Sequence, residues 1–187
     1  AIEDANGCDG TLMLGGSDQA LLDTTITTYV SLSQQSILCY GDTTGVVSVV
    51  NPLSPPYSYS WQDANGNVVG STPSVSNLPA GDYTLYSSYN GINGCTTVEQ
   101  IALLENSLIH SDAIVIDASC NGSNDGSIMT TTFGGSGGYI YSWSPVASTT
   151  SDLTNLMAGV YELTITDVNN CSVTESYTID EPSLLVA

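Results

Sequence analysis

Hydrophobic and polar residues alternate with a period of two through long parts of the chain, and no segment sustains a helical period. Tyr57, Tyr59 and Trp61 are separated by Ser58 and Ser60, so the three rings share one face of a strand. Tyr139, Tyr141 and Trp143 repeat the arrangement. Further on, Tyr161, Leu163 and Ile165 point one way while Glu162, Thr164 and Thr166 point the other. Val46-Val47-Ser48-Val49-Val50 is a nearly continuous apolar run and reads as a central strand. Asp63-Ala64-Asn65-Gly66 follows the first aromatic row as a hairpin turn, Asn-Gly being a strong turn signal. The last strand runs from Cys171 to Ile179 and closes at Glu181-Pro182; Gln19 to Leu22 has room for one helical turn.

These elements are written twice. Cys39 and Cys120 stand 81 residues apart, Trp61 and Trp143 82, Tyr83 and Tyr161 78, and Cys95 and Cys171 76. A period near 80 is too long for a solenoid turn and fits an immunoglobulin-sized module. The predicted fold is therefore all-β, as tandem Ig-like or fibronectin-III-like antiparallel β-sandwiches. The repeats fall at residues 24–104 and 105–182. Residues 1–23 read as a partial repeat or terminal strand segment, because Ile2 to Cys8 resembles Ile165 to Cys171. Residues 183–187 read as the start of a next repeat or a terminal extension. Such ends fit a cut from a longer array, or terminal strands that complete a neighbouring subunit. The connection between the repeats is short and lacks a Pro/Gly-rich linker, which predicts a semi-rigid rod.

Charge narrows the function. The chain has 19 acidic residues and no Lys or Arg, for a net charge of −19. Nothing cationic is available to neutralise phosphates, which argues against nucleic-acid binding. Anionic membranes repel such a chain, and cations collect around it. Charged residues make up only 10% against 41% hydrophobic, so a folded chain is expected rather than a disordered one. No apolar run of membrane-spanning length occurs. Five cysteines in an acidic β-rich chain point to an oxidising compartment.

The order Cys-Gly-Asp/Asn, Tyr-x-Tyr-x-Trp, Asn-Leu-x-Ala-Gly-x-Tyr and Asp-x-Asn-x-Cys resembles the SprB repeat, over residues 39–104 and 120–182 and the fragment 1–8. That resemblance implies an extracellular, Ig-like module of giant cell-surface adhesins of Bacteroidota, including the mobile adhesin of gliding motility, exported by type IX secretion. The separation of 31 from Cys8 to Cys39, longer than the 25 from Cys95 to Cys120, and the lack of Lys and Arg depart from the pattern. Read from the residues alone, Gly81 and Gly159 permit a tight turn between strands of opposite sheets. Tyr83 and Tyr161 then bond back to that turn as tyrosine corners.

The cysteines leave alternatives open. Spacing alone suits intra-repeat pairs, Cys39–Cys95 and Cys120–Cys171. Topology objects, since the first and last Cys of a sandwich lie at opposite ends, about 20 Å apart, whereas a disulfide needs Cα atoms within about 7 Å. In a head-to-tail array Cys39 could instead reach Cys171, leaving Cys8, Cys95 and Cys120 for neighbouring repeats or subunits; free thiols are the third alternative. Asn121-x-Ser123-x-Asp125-Gly126 and Asp63-x-Asn65-x-Asn67 resemble the start of a calcium loop, but both lack the acid at position 12, so Asn121, Asp125 and Asp63 are weak candidates and plain turns are the simpler reading.

The aromatic rows could form a glycan platform, yet a sandwich core needs such rows too, with Trp61 and Trp143 inside; Tyr86 and Tyr89 are the rings expected to stay open for contacts. His110 falls in the inter-repeat connection as a solvated residue, which leaves a Ser-His-Asp triad without its base. No nucleophile elbow, phosphate loop or metalloprotease motif occurs, and no catalytic residue or cofactor is expected beyond weakly bound calcium. Asn121-Gly122-Ser123 and Asn170-Cys171-Ser172 fit the N-linked sequon, and Asp23-Thr24-Thr25 and Asp42-Thr43-Thr44 a short O-glycosylation signal. The expectation is an extracellular structural or adhesive module of a cell-surface filament or adhesin stalk. Its partners would be neighbouring repeats or identical subunits. The alternative is a carbohydrate- or surface-binding module acting through exposed tyrosines on surface glycans.

Overall fold

The computed structural model describes residues 30–52, 57–89 and 96–186. Among them there are strands and no helix: β1 (Leu32–Gln35), β2 (Gly45–Val49), β3 (Tyr57–Gln62), β4 (Val68–Gly70), β5 (Ser74–Leu78), β6 (Gly81–Tyr89), β7 (Thr96–Leu103), β8 (His110–Ile116), β9 (Gly126–Phe133), β10 (Ile140–Ser144), β11 (Leu153–Leu156), β12 (Gly159–Thr166) and β13 (Ser172–Ile179). The chain divides into two compact units, Ala1–Ile37 with Thr43–Leu104, and Leu38–Asp42 with Glu105–Ala187. The five-residue segment Leu38–Asp42 thus lies in unit 2, although the chain on both sides of it lies in unit 1. The suggested turn at Gln19–Leu22 lies outside the described residues.

Unit 1 pairs β1-β2-β5 in one sheet and β4-β3-β6-β7 in the other. Unit 2 pairs β11-β9-β8 and β10-β12-β13. All pairings are antiparallel, which is the strand order of an Ig-like sandwich. Alternation decides which side chains enter each core. In unit 1, Val47 and Leu78 from one sheet meet Trp61, Tyr83 and Leu85 from the other. In unit 2, Ile128 and Leu156 meet Trp143, Tyr161, Leu163 and Ile165. Trp61 is 0% exposed and Trp143 4%. A buried indole needs an acceptor, and Nε1 of Trp61 donates to Thr72 O at 3.1 Å, that of Trp143 to Thr150 O at 2.9 Å.

Both copies change sheets by the same device. The β2–β5 register slips at Asn77 (φ 60°), and the β9–β11 register at Asn155 (φ 57°). Asn tolerates the left-handed region better than most residues, so it serves as the extra residue of a bulge. The chain then crosses to Gly81 or Gly159, the first residues of β6 and β12. Tyr83 Oη donates to Pro79 O at 2.8 Å and Tyr161 Oη to Met157 O at 2.9 Å, the tyrosine-corner bond.

His110 is not a linker residue. It opens β8, pairs with Phe133 and stacks on that ring at a centroid distance of 5.4 Å. The reason is that unit 2 starts its first strand almost at once: Ile109 is already in the core, and alternation turns His110 outward.

With no Lys or Arg in the chain, carboxylates are held by backbone amides instead of cations. Glu175 Oε1 accepts from Ser111 N at 2.9 Å, tying β13 to β8, while its Oε2 accepts from Tyr177 Oη at 2.5 Å. Burial, and then the Glu175 carboxylate, push the Tyr177 hydroxyl up to about 12. Asp152 caps Thr130 N, and Asp117 caps Asp180 N, each at 2.9 Å.

Candidate functional site

Cys39 and Cys171 form a disulfide, with Cα atoms 5.4 Å apart and a sequence separation of 132. Both partners belong to unit 2. Cys171 is part of its core, and Cys39 packs against that core. Cys120 is a free, exposed thiol. Cys8 and Cys95 lie outside the described residues. The bond crosses from one sequence copy to the other, so the intra-repeat pairs Cys39–Cys95 and Cys120–Cys171 do not form. For Cys120–Cys171 the reason is strand length. Cys171 precedes the first residue of β13, whereas the Cys120 turn sits at that strand's other end, where Ala118 N donates to Asp180 O at 2.9 Å. Eight strand residues put the two ends roughly 26 Å apart, far beyond disulfide reach.

The bed for Cys39 is built around Asp167, 2% exposed. Its Oδ2 accepts from Ser136 N at 2.8 Å, and its Oδ1 from Asn169 N at 2.8 Å and Cys171 N at 3.0 Å. Burial alone would raise this carboxyl; the amides of Ser136, Cys171 and Asn169 outweigh it and hold it below the usual carboxylate range. Ser136 Oγ in turn receives Asn169 Nδ2 at 2.6 Å and Asn106 Nδ2 at 2.7 Å. Asn106 Nδ2 also donates to Leu38 O at 2.7 Å, fixing the residue before Cys39.

The run Gly134-Gly135-Ser136-Gly137-Gly138 makes this approach feasible, with its four glycines at φ between 58° and 81°. A Cβ on Gly135 would come within 2.8 Å of Asp167 Oδ2, and one on Gly134 within 1.9 Å of Leu108 O. Ser136, Asn106 and this glycine run stand outside the motifs quoted from the sequence, and Asp167 stands inside Asp-x-Asn-x-Cys with no role that the sequence assigns. The signal available was the glycine run itself, five residues before the second aromatic row ends.

The Cys39 and Cys120 turns have the same backbone. Asp42 N donates to Cys39 O at 3.3 Å and Ser123 N to Cys120 O at 3.0 Å. Gly41 and Gly122 both occupy the left-handed region, at φ 78° and 74°. Gly41 N donates to Glu105 Oε2 at 2.6 Å, and Gly122 N to Glu181 Oε2 at 2.7 Å. Glu105 and Glu181 are themselves repeat equivalents, 76 residues apart.

The calcium candidates are occupied as turn staples. Asp63 Oδ1 accepts from Asn65 N and Asn67 N, each at 2.9 Å, and Asn67 Nδ2 reaches Oδ2 at 2.9 Å. The Asn67 side chain, then its amide, lower the Asp63 carboxyl. Asp125 Oδ1 accepts from Ser119 N at 3.0 Å and Ser123 Oγ at 2.5 Å; Ser119 first and then Ser123 hold this carboxyl far below its ordinary value. Asn121 Nδ2 donates to Glu181 Oε1 at 2.8 Å and to Pro182 O at 3.3 Å. Among the described residues no three His, Cys, Asp or Glu side chains group in a way that could hold a metal ion. Of the rings considered for sugar, Trp61, Trp143 and Tyr59 are core, Tyr57, Tyr86, Tyr139 and Tyr141 are half-buried, and the side chain of Tyr89 lies outside what the structure describes. Among the described residues no helix is long and apolar enough to cross a membrane.

The family model of the SprB repeat matches residues 113–148, which hold the Cys120 turn and the second aromatic row. No curated protein is significantly similar to the chain. Among solved structures, the three N-terminal domains of the Highly Immunogenic Outer Capsid protein (Hoc) of bacteriophage RB49 match at 14% identity and TM-score 0.44, over 80% of this chain and 57% of that one. The full ectodomain of mouse nectin-like molecule 4 matches at 10% identity and TM-score 0.42, over 84% and 66%. The C-terminal fragment of intimin, solved with the intimin-binding domain of its translocated receptor Tir, matches at 12% and 0.41, over 81% and 63%. The chain therefore spans less than two thirds of each of these structures, and likenesses of this size carry no argument about what it binds.

Proposed function

We propose that this chain is a load-bearing stretch of an extracellular adhesin stalk or cell-surface filament, built from SprB-type modules and exported to the surface of a gliding or adhesive cell by type IX secretion. The observation that carries the reading is the Cys39–Cys171 bond, which short-circuits 132 residues of chain. Tension that enters before Cys39 and leaves after Cys171 runs through the S–S bond and bypasses every strand from β2 to β12. Among the described residues, β1 and β13 are the strands that stand outside the loop. In the unfolded state the same link restricts the chain, which contributes roughly 5 kcal/mol on the loop-entropy account. The match to the SprB repeat and the buried tryptophans support a structural module over a lectin, whose rings would face solvent. No chemistry is assigned to the chain.

Single-molecule stretching from the two ends tests this. The oxidised chain is expected to extend less than the reduced chain by roughly 450 Å, the length of the locked loop at about 3.5 Å per residue. Equal extensions before and after reduction would remove the load-bearing role.

A further inference from the structure

The Cys39 turn shows what a turn of this kind does when its partner is present. Its cysteine is bonded to a loop cysteine whose amide, with that of Asn169, is held by a buried Asp, and its leading carbonyl is held by an Asn of the same unit. The Cys120 turn repeats that backbone: the same left-handed glycine, the same amide clamp from the repeat-equivalent Glu, and the same closing bond from the fourth residue to the cysteine carbonyl. Its thiol is exposed and free. Asp125 and Asn121 fix the turn further, through Ser119 and Ser123 on one side and Glu181 on the other. The other two cysteines of unit 2, Cys39 and Cys171, are bonded to each other, and Cys171 lies at the far end of β13.

We propose that Cys120 is the joint to a following module of the same kind: it forms a disulfide with that module's loop cysteine, the equivalent of Cys171 in Asp167-x-Asn169-x-Cys171. The pairing rule is that the first Cys of each repeat bonds to the last Cys of the next. Two thiols lose two protons and two electrons to an external disulfide, which departs as two thiols. The rule deepens the stalk reading and rests on it, because it makes the bypass continuous from module to module. One departure is visible. Pro182 stands where Asn106 stands one repeat earlier, so the Cys120 turn has Pro182 O as an acceptor for Asn121 in place of an amide donor for Ser119 O.

The test extends the full chain by fusing a second copy of residues 106–187 after Glu181, so that the added copy follows unit 2 as unit 2 follows Leu104. The protein is refolded with oxidised and reduced glutathione, alkylated without denaturant, and mapped after chymotrypsin digestion. The expected result is a Cys120 link to the added copy's Cys171, an unchanged Cys39–Cys171 link, and alkylation of the added copy's Cys120. Alkylated Cys120 beside an alkylated Cys171 of the added copy, with the added tryptophan buried, overturns the proposal. Should the added tryptophan remain exposed, a mixture decides. Wild type is oxidised with the Cys39→Ser, Glu105→Gln variant, whose Cys171 is open and whose resident turn is loosened. A Cys120–Cys171 link between chains supports the rule; Cys120–Cys120 dimers, or no link, overturn it. The stretching experiment above uses the unextended chain, so failure here leaves the stalk reading intact, whereas failure there removes the Cys39–Cys171 precedent from which the rule is drawn.

Discussion

The turns at Cys39 and Cys120 are one piece of backbone in two covalent states. In both, a glutamate that follows the last strand clamps the amide of a left-handed glycine, at 2.6 Å and 2.7 Å. One cysteine is bonded, the other is a thiol. Since the geometry is the same without the bond, the clamp shapes the turn and the disulfide captures a shape that already exists. Preorganisation of this kind lowers the ordering cost of joining.

The sharpest way to break the comparison is to remove each cysteine in turn. Cys171→Ser is expected to cost on the order of 3–5 kcal/mol in chemical denaturation, whereas Cys120→Ser should move stability by less than about 0.5 kcal/mol, as exposed substitutions do. Equal losses would mean that the free thiol has a structural role of its own.

Next in size is Asp167, whose loop receives the bonded cysteine. Asp167→Ala leaves three amides, one buried and two part-buried, without their acceptor and should lower stability by on the order of 2 kcal/mol, with faster reduction of Cys39–Cys171 by dithiothreitol. The acid response follows from the same carboxyl. Its folded value lies below its unfolded one, so its contribution is complete above the ordinary carboxylate range and is lost as pH falls through that range and below it. Acid melting curves of the wild type should show this loss, and the Asp167→Ala variant should show a smaller one.

The clamps come next. Glu105→Gln and Glu181→Gln should each cost about 1 kcal/mol, the difference between a charged and a neutral acceptor for the same amide. Glu181→Gln should also change the rate at which iodoacetamide reaches Cys120. If Glu105→Gln alone matters, the two turns are less alike than their backbones. The smallest expected effect is that of millimolar calcium or of a chelator at constant, high ionic strength, which should leave the melting temperature unchanged because Asp63 and Asp125 already accept within their own turns. A rise with calcium would assign those turns a metal.

What could be read in advance follows from what makes a periodic signal. The aromatic rows and the Tyr161-Leu163-Ile165 face alternate cleanly, and burial follows that alternation in β2, β3 and β12. Strand β8 escaped because its pattern misleads: it opens on polar residues, and its apolar end is turned outward, with Ile114 64% and Ile116 50% exposed. Spacing could not choose the cysteine partners, since a 51-residue separation looks natural until β13 is known to hold the two thiols at opposite ends. The Asp167 bed was invisible for a different reason. Its donors are backbone amides brought together by a loop, and an amide leaves no trace in residue identity. The left-handed Asn77 and Asn155 stand inside the Asn-Leu-x-Ala-Gly-x-Tyr motif, where the glycines that follow carry the stronger turn signal.

The carboxylates that cap amides, Glu105, Glu175, Glu181, Asp125 and Asp167 among them, give this protein an unusual relation to its solvent. Where a fold leans on surface ion pairs, dissolved electrolyte weakens it by screening attraction. A chain with 19 acidic residues and no Lys or Arg has no Lys or Arg pair to lose and mainly mutual repulsion to relieve. Its stability should therefore climb with ionic strength, which makes brine a firmer medium for it than fresh water.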